Sequence, residues 1–258
     1  MDISRRALVA GAGLAALSLA GCGSGDKEEK PAAGGSSAPE PEKKEPEAPE
    51  ADGRHATHPE PDGPAPYIKE SVWRSEPNAT DDGYYVHFDA MLGCTDTENC
   101  YTMMHLAVSA KSAGGGVLAS CDQVVMFIAP DDVMPVTVQL DTAEEPATVE
   151  ATLSHEAGQK PGNPYTLADL PVSGQAETET GGYAKWAGEF ENRTGVSFDS
   201  GCDAYAVLRD GGDLCAVYVQ MGSAPVADGA TSPFEVTEYA DAVPEHDSAE
   251  VYIVPNLI

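Results

Sequence analysis

The sequence predicts an all-β protein: two tandem immunoglobulin-like antiparallel β-sandwich domains that follow a disordered linker. Three observations lead there. The apolar runs are short, cut every 8–12 residues by Gly, Pro and Asp, and none holds a helical period. The chain matches itself at an offset of 98 residues, as a tandem repeat would. Residues 23–66 contain no Ile, Leu, Val, Met or aromatic side chain, so they have nothing to bury in a core.

Residues 1–22 read as a targeting segment. Arg5 and Arg6 are followed by an apolar run from Ala7 to Ala20, about 14 residues long against the roughly 20 a spanning helix needs. The run ends in Leu19-Ala20-Gly21-Cys22, which resembles a bacterial lipobox. That resemblance implies a diacylglycerol thioether on Cys22 and a mature protein held on the extracytoplasmic face of the cell membrane by lipid. Ser4-Arg5-Arg6-Ala7-Leu8 resembles part of a twin-arginine export motif, and the general export route stays open beside it.

Residues 23–66 read as a tether with nine prolines, eleven acids and five bases. Fully extended it would reach on the order of 130 Å, and as a flexible coil about 40 Å. His55 and His58 fall in it and read as solvated linker residues.

The repeat follows. Tyr67, Thr80, Gly83, Tyr85, Phe88 and Leu92 match Tyr165, Thr178, Gly181, Tyr183, Trp186 and Phe190 without a gap. Pro135-Val136-Thr137-Val138 matches Pro233-Phe234-Glu235-Val236 at the same offset. Two domains of about 90 residues result, 67–158 and 165–258. Strands are expected in the first at Tyr84 to Leu92, Tyr101 to Ala110, Val117 to Ala129, Val133 to Leu140 and Ala147 to Leu153. In the second they are expected at Tyr183 to Glu191, Asp203 to Arg209, Leu214 to Met221, Pro233 to Tyr239 and Ala249 to Val254.

Gly188-Glu189-Phe190-Glu191-Asn192-Arg193-Thr194-Gly195, Ala206 to Gly212 and Ser232 to Val236 together resemble the FxLYD-type domain of bacterial envelope lipoproteins. In the first domain Ala90 replaces Gly188 and Cys94 replaces Asn192, and Arg209 stands where the family has tyrosine. The resemblance covers about 160 residues and implies an immunoglobulin-like fold and an extracytoplasmic interaction module, not an activity.

With Cys22 assigned to lipid, Cys94, Cys100, Cys121, Cys202 and Cys215 remain. If Arg209 faces Leu214, Cys202 lies about 20 Å along the strand from the residue facing Cys215, at 3.3 Å per residue. A disulfide needs Cα atoms about 4.4–6.8 Å apart, so that pair is disfavoured, and Cys100–Cys121 likewise. Cys94 and Cys100 flank a single loop and form the favoured pair; Cys121 and Cys215 read as small core residues.

The net charge of −29 sits mainly in residues 67–258, with 31 acids and seven bases. Such a surface excludes nucleic-acid binding and an electrostatic grip on anionic lipid. No nucleophile elbow, phosphate loop or H-E-x-x-H motif occurs in the folded part, so the expectation is a non-enzymatic protein without cofactor, metal site or catalytic residues. His87 and His105 read as ordinary strand residues, His155-Glu156 and His246-Asp247 as the best candidates for a weak metal pair. Asp81-Asp82-Gly83 and Asp210-Gly211-Gly212-Asp213 read as turns. The expected role is presentation of two interaction modules to an envelope protein or glycan. The alternatives are an acidic cation-binding surface protein, or an accessory subunit of an exported redox enzyme suggested by Arg5-Arg6.

Overall fold

The computed structural model describes residues 54–78, 82–162, 165–222 and 224–256, all within the compact unit Ala48–Ile258. Cys22, the export segment, residues 23–53 of the tether and Asp81 lie outside the described residues. The protein is all-β and antiparallel, with no α-helix among the described residues.

Its first half holds β1 (His55–Thr57), β2 (Pro66–Pro77), β3 (Tyr84–Cys94), β4 (Tyr101–Lys111), β5 (Val117–Ile128), β6 (Val133–Thr142) and β7 (Thr148–Ser154). The second holds β8 (Val172–Thr180), β9 (Tyr183–Glu191), β10 (Cys202–Asp210), β11 (Asp213–Gln220), β12 (Thr231–Tyr239) and β13 (Ser248–Pro255). One sheet runs β1-β2-β3-β6 and its neighbour β5-β4-β7; the second half repeats this as β12-β9-β8 and β11-β10-β13. The repeat seen in sequence is therefore a repeat of topology. β6 begins at Val133 and β12 at Thr231, separated by the same 98 residues.

Each half encloses its own core. Val86, Phe88, Ala90 and Leu92 of β3 meet Met104, Leu106, Val108 and Ala110 of β4. Trp186 and Phe190 of β9 meet Ala204, Ala206 and Leu208 of β10. Alternation along each strand does this: every second residue turns inward.

The sequence did not anticipate three strands. β1 lies inside the stretch read as tether, which corrects that boundary. It pairs with β2 in the register His55↔Val72 and Thr57↔Glu70, and His58 Nε2 lies 3.1 Å from Ser71 Oγ. β2 lies between β1 and β3, and β8 is an edge strand of its sheet.

The residues of the FxLYD-like motif do structural work. Asn192, fully buried, donates through Nδ2 to the carbonyls of Val196 and Ala227 and accepts from Thr194 N and Oγ1. It staples the loop after β9. In the first half Cys94 stands in that place, and Asp96 takes over the loop. Its carboxylate accepts from the backbone N–H groups of Glu98 and Asn99, from Asn99 Nδ2 and from Tyr101 Oη.

Candidate functional site

The two halves are joined face to face, and that junction sets the geometry of everything exposed. The outer face of β2-β3-β6 meets the outer face of β11-β10-β13. Met91, Val207, Leu214 and Val217 are buried there, with Val72, Val133, Tyr205 and Tyr252 packed around them. A bulge in β2 between Ile68 and Glu70 makes this possible. The extra residue, Lys69, shifts the alternation, so Glu70, Val72 and Arg74 turn towards the second half while Ile68 and Trp73 stay in the first core.

Charged groups are buried with the apolar ones. Arg209 of β10 grips Glu70 through its two terminal guanidinium nitrogens, at 2.5 and 3.0 Å. Arg74 is ion-paired with Asp89, which is fully buried and also accepts from Thr137 Oγ1 at 2.6 Å. The Arg74 guanidinium lies 5.2 Å from the ring centre of Tyr218 in the other half. Burial alone would lower the Arg74 pKa, but the carboxylate of Asp89 outweighs it and the net shift is upward. At one border Asp132 Oδ2 accepts from Leu167 N at 2.9 Å, and the Phe127 ring sits 5.4 Å from that of Tyr165.

The large concavity of about 760 Å³ is the mouth of the second sandwich. Its walls are Glu177 to Glu179 of β8, Ala184 of β9, Asp210 at the end of β10, and the loop Val243 to His246. Glu177 pairs with Trp186 and Glu179 with Ala184, so both glutamates stand on the side of β8 that faces the core. Their partners are buried but they are exposed: β8 overhangs the core there. Inward-pointing charge on an edge strand also blocks edge-to-edge pairing with other chains.

His246 anchors the mouth. Its Nδ1 lies 2.9 Å from Pro244 O, and its Nε2 lies 3.1 Å from both oxygens of Glu177. Burial would lower its pKa, but the Pro244 carbonyl and the Glu177 carboxylate dominate and raise it. Behind it the Trp186 ring stacks on Tyr218 at 5.6 Å and 9°, and Tyr218 Oη donates to Ala242 O at 2.9 Å. Four carboxylates around one recess concentrate negative potential, which draws cationic groups of a partner towards it.

The sequence-derived candidates fall as follows. Cys94 and Cys100 are free thiols and do not form the expected bridge. Cys94 Sγ turns to Asp96 O at 3.7 Å and Cys100 Sγ to Gln159 O at 3.2 Å, one on each side of the loop that Asp96 holds. Cys121 and Cys215 are free as well. Arg209 does face Leu214, and Cys215 is the extra residue of a bulge next to that pair. His155 packs edge-on against Tyr101 at 5.0 Å in the first half, while His246 bonds Glu177 in the second, so the two candidate metal pairs are not brought together. Among the described residues no three His, Cys, Asp or Glu side chains converge as metal ligands do. His87 and His105 make partly or fully exposed pairs with Glu76 and Asp122. Gly211 and Gly212 both have positive φ, as a tight two-residue hairpin turn requires. Glu177 was not singled out from sequence; the signal was the alternation Ala176-Glu177-Thr178-Glu179-Thr180, polar on both faces.

Among the described residues no helix is long and apolar enough to cross a membrane. No protein-family model matches the chain, and no curated protein matches it.

Proposed function

We propose that this chain is a non-enzymatic lipoprotein of the extracytoplasmic membrane face, anchored through Cys22, that presents a two-sandwich body to an envelope partner, protein or glycan. The observation that carries the reading is the welded junction. Two modules joined by a buried apolar layer, the Glu70–Arg209 ion pair and the contact of Arg74 with the Tyr218 ring expose one fixed surface, as a recognition protein needs, where separate beads on a string would not. The Pro/Glu tether would raise the local concentration of that surface near the membrane. The acidic mouth is the recess through which a partner with cationic groups would engage.

The test is photo-crosslinking in native membranes from positions 179 and 245 at the mouth, with position 152 on the opposite outer sheet as control. The expected outcome is one partner captured from the mouth and not from the control. Equal labelling from all three positions would overturn the assignment of the mouth. Mass spectrometry of the mature N-terminus should find diacylglycerol on Cys22, and an unmodified chain beginning elsewhere would overturn the anchor. The carboxylates around His246 also favour a second reading, capture of a cation; stoichiometric heat on titration with calcium or zinc would support it over plain presentation.

A further inference from the structure

The outer face of β12-β9-β8 is the counterpart, one repeat on, of the face β2-β3-β6 that is buried in the junction. Here the face stays open, and strand alternation fixes what it presents. Ala184, Trp186 and Phe190 of β9 turn into the core, so Tyr183, Lys185, Ala187 and Glu189 turn out. Phe234 and Val236 of β12 also turn in, so Glu235, Thr237 and Tyr239 turn out. The register sets Tyr183 between Tyr239 and Thr180, and Lys185 between Thr237 and Thr178.

At one end the rings of Tyr183 and Tyr239 lie 5.0 Å apart at 31°, yet they remain 38% and 58% exposed. A hydrogen bond between the two phenols holds the pair together and raises the Tyr239 pKa. The pair is a fixed apolar platform with a polar rim. Beside it stand the hydroxyls of Thr178, Thr180 and Thr237, which can donate as well as accept. Ala187 follows about 13 Å along β9 from Tyr183, at 3.3 Å per residue. There the small side chains of Ala176 and Ala187 leave a shallow hollow of about 650 Å³ beside Pro233.

Charge selects the class of ligand. Lys185 is paired with Glu235 at 2.9 Å and Glu191 with Arg193, which leaves Glu189 as the one uncompensated charge among the described residues of the face. The surrounding residues 67–258 carry 31 acids against seven bases. That body repels an anionic chain, while a cationic one is drawn to the carboxylates of the mouth. A second copy of the protein would bury Glu189. A nearly neutral face of rings and hydroxyls matches an uncharged ligand that has apolar C–H faces and hydroxyls around them.

We infer that this face binds an uncharged glycan, with a sugar ring stacked on the Tyr183–Tyr239 pair and the chain running along β9 to the hollow at Ala187. The tyrosines point away from the core and the recess around His246 does not, so this site stands or falls independently of the mouth.

Affinity electrophoresis of the full chain in mild detergent, through gels that each contain one polysaccharide, tests this. The neutral probes are a glucan, a mannan and a galactan, and hyaluronate is the anionic control. The expected result is retardation by a neutral polysaccharide and none by hyaluronate. Tyr183→Ala and Tyr239→Ala should each weaken binding by about 3–10-fold, and Tyr239→Phe, which keeps the ring, should retain it. Thr152→Ala on the far sheet should change nothing. Both tyrosines lie outside the cores, so their loss leaves the packing intact. Retardation by none of the neutral polysaccharides, equal retardation by hyaluronate, or alanine variants that bind as the parent does would each overturn the inference.

Discussion

Replacing Arg209 by alanine should uncouple the two halves at measurable cost. The side chains of Glu70 and Arg209 keep only 11% and 19% of their exposure, and two of the guanidinium nitrogens touch the carboxylate. Removing one partner of a fully buried pair costs about 3–5 kcal/mol, chiefly because a charge is left desolvated. Residual exposure lets water reach the stranded Glu70, which places the expected loss at the lower end, about 2–3 kcal/mol. For a body of this size that corresponds to roughly 4–12 °C in Tm. The two tryptophans make the assay direct, since Trp73 sits in the first core and Trp186 in the second. Urea unfolding of single-tryptophan variants should give one coincident transition in the parent and a lower midpoint for both probes in Arg209→Ala. A cycle with Glu70→Gln should show a coupling of about 1–2 kcal/mol. Separate transitions for the two tryptophans in the parent, or a loss below about 0.5 kcal/mol in the variant, would refute the claim that this pair holds the halves together.

Other perturbations follow from the same contacts. Asp89→Asn keeps an Oδ1 acceptor for Thr137 but leaves Arg74 without its counter-charge at a fully buried position and should cost about 3–4 kcal/mol in urea unfolding. Asp96 is held at about 2 by hydrogen bonds from the Asn99 side chain and the Glu98 amide, below its ordinary 3.8. Its stabilisation is therefore complete above pH 3.8 and lost as pH falls towards 2, and Asp96→Asn should flatten the acid limb of a Tm-versus-pH curve. The His246 ring should titrate above 6.5 by NMR, so its contribution is complete below pH 6.5 and fades as pH rises through the folded value; Glu177→Gln should lower that value. Native-state alkylation read by mass spectrometry should label half-buried Cys121 and Cys215 before Cys94, Cys100 and Cys202, the last pushed to about 12 by burial. A Cys94–Cys100 pair that resists alkylation after denaturation would contradict the free-thiol arrangement.

Strands with one face in a core were legible because their alternation is two-valued. Tyr84 to Leu92 and Val133 to Leu140 read as strands, and so they are, within two residues at each end. The repeat was legible for the same reason: core positions such as Phe88 and Trp186 keep their size when surfaces diverge. β8 was not, since eight of its nine residues are exposed and the polar alternation Ala176 to Thr180 marks no buried face. β1 hid among prolines and acids because a three-residue strand is fixed by its partner and carries no period of its own. The junction was invisible for a different reason. Met91 and Val207 read as strand residues in either setting, and a one-residue bulge at Lys69 decides which side chains of β2 face the other half.

That junction is built from two non-equivalent faces, β2-β3-β6 of one repeat against β11-β10-β13 of the next. A contact of this head-to-tail kind has no built-in end: the free copy of each face lies exposed at the two extremities and could recruit another molecule, and another, into a fibre. The free copies have been altered against it. Counting 98 residues on, buried Met91 becomes exposed Glu189 and His87 becomes Lys185, while the far side of the first half offers Thr148, Glu150, Thr152 and Ser154. Another round of stacking would bury a carboxylate where the first buried a thioether. The same geometry that fuses two repeats thus stops at two, which keeps separate molecules from growing into filaments.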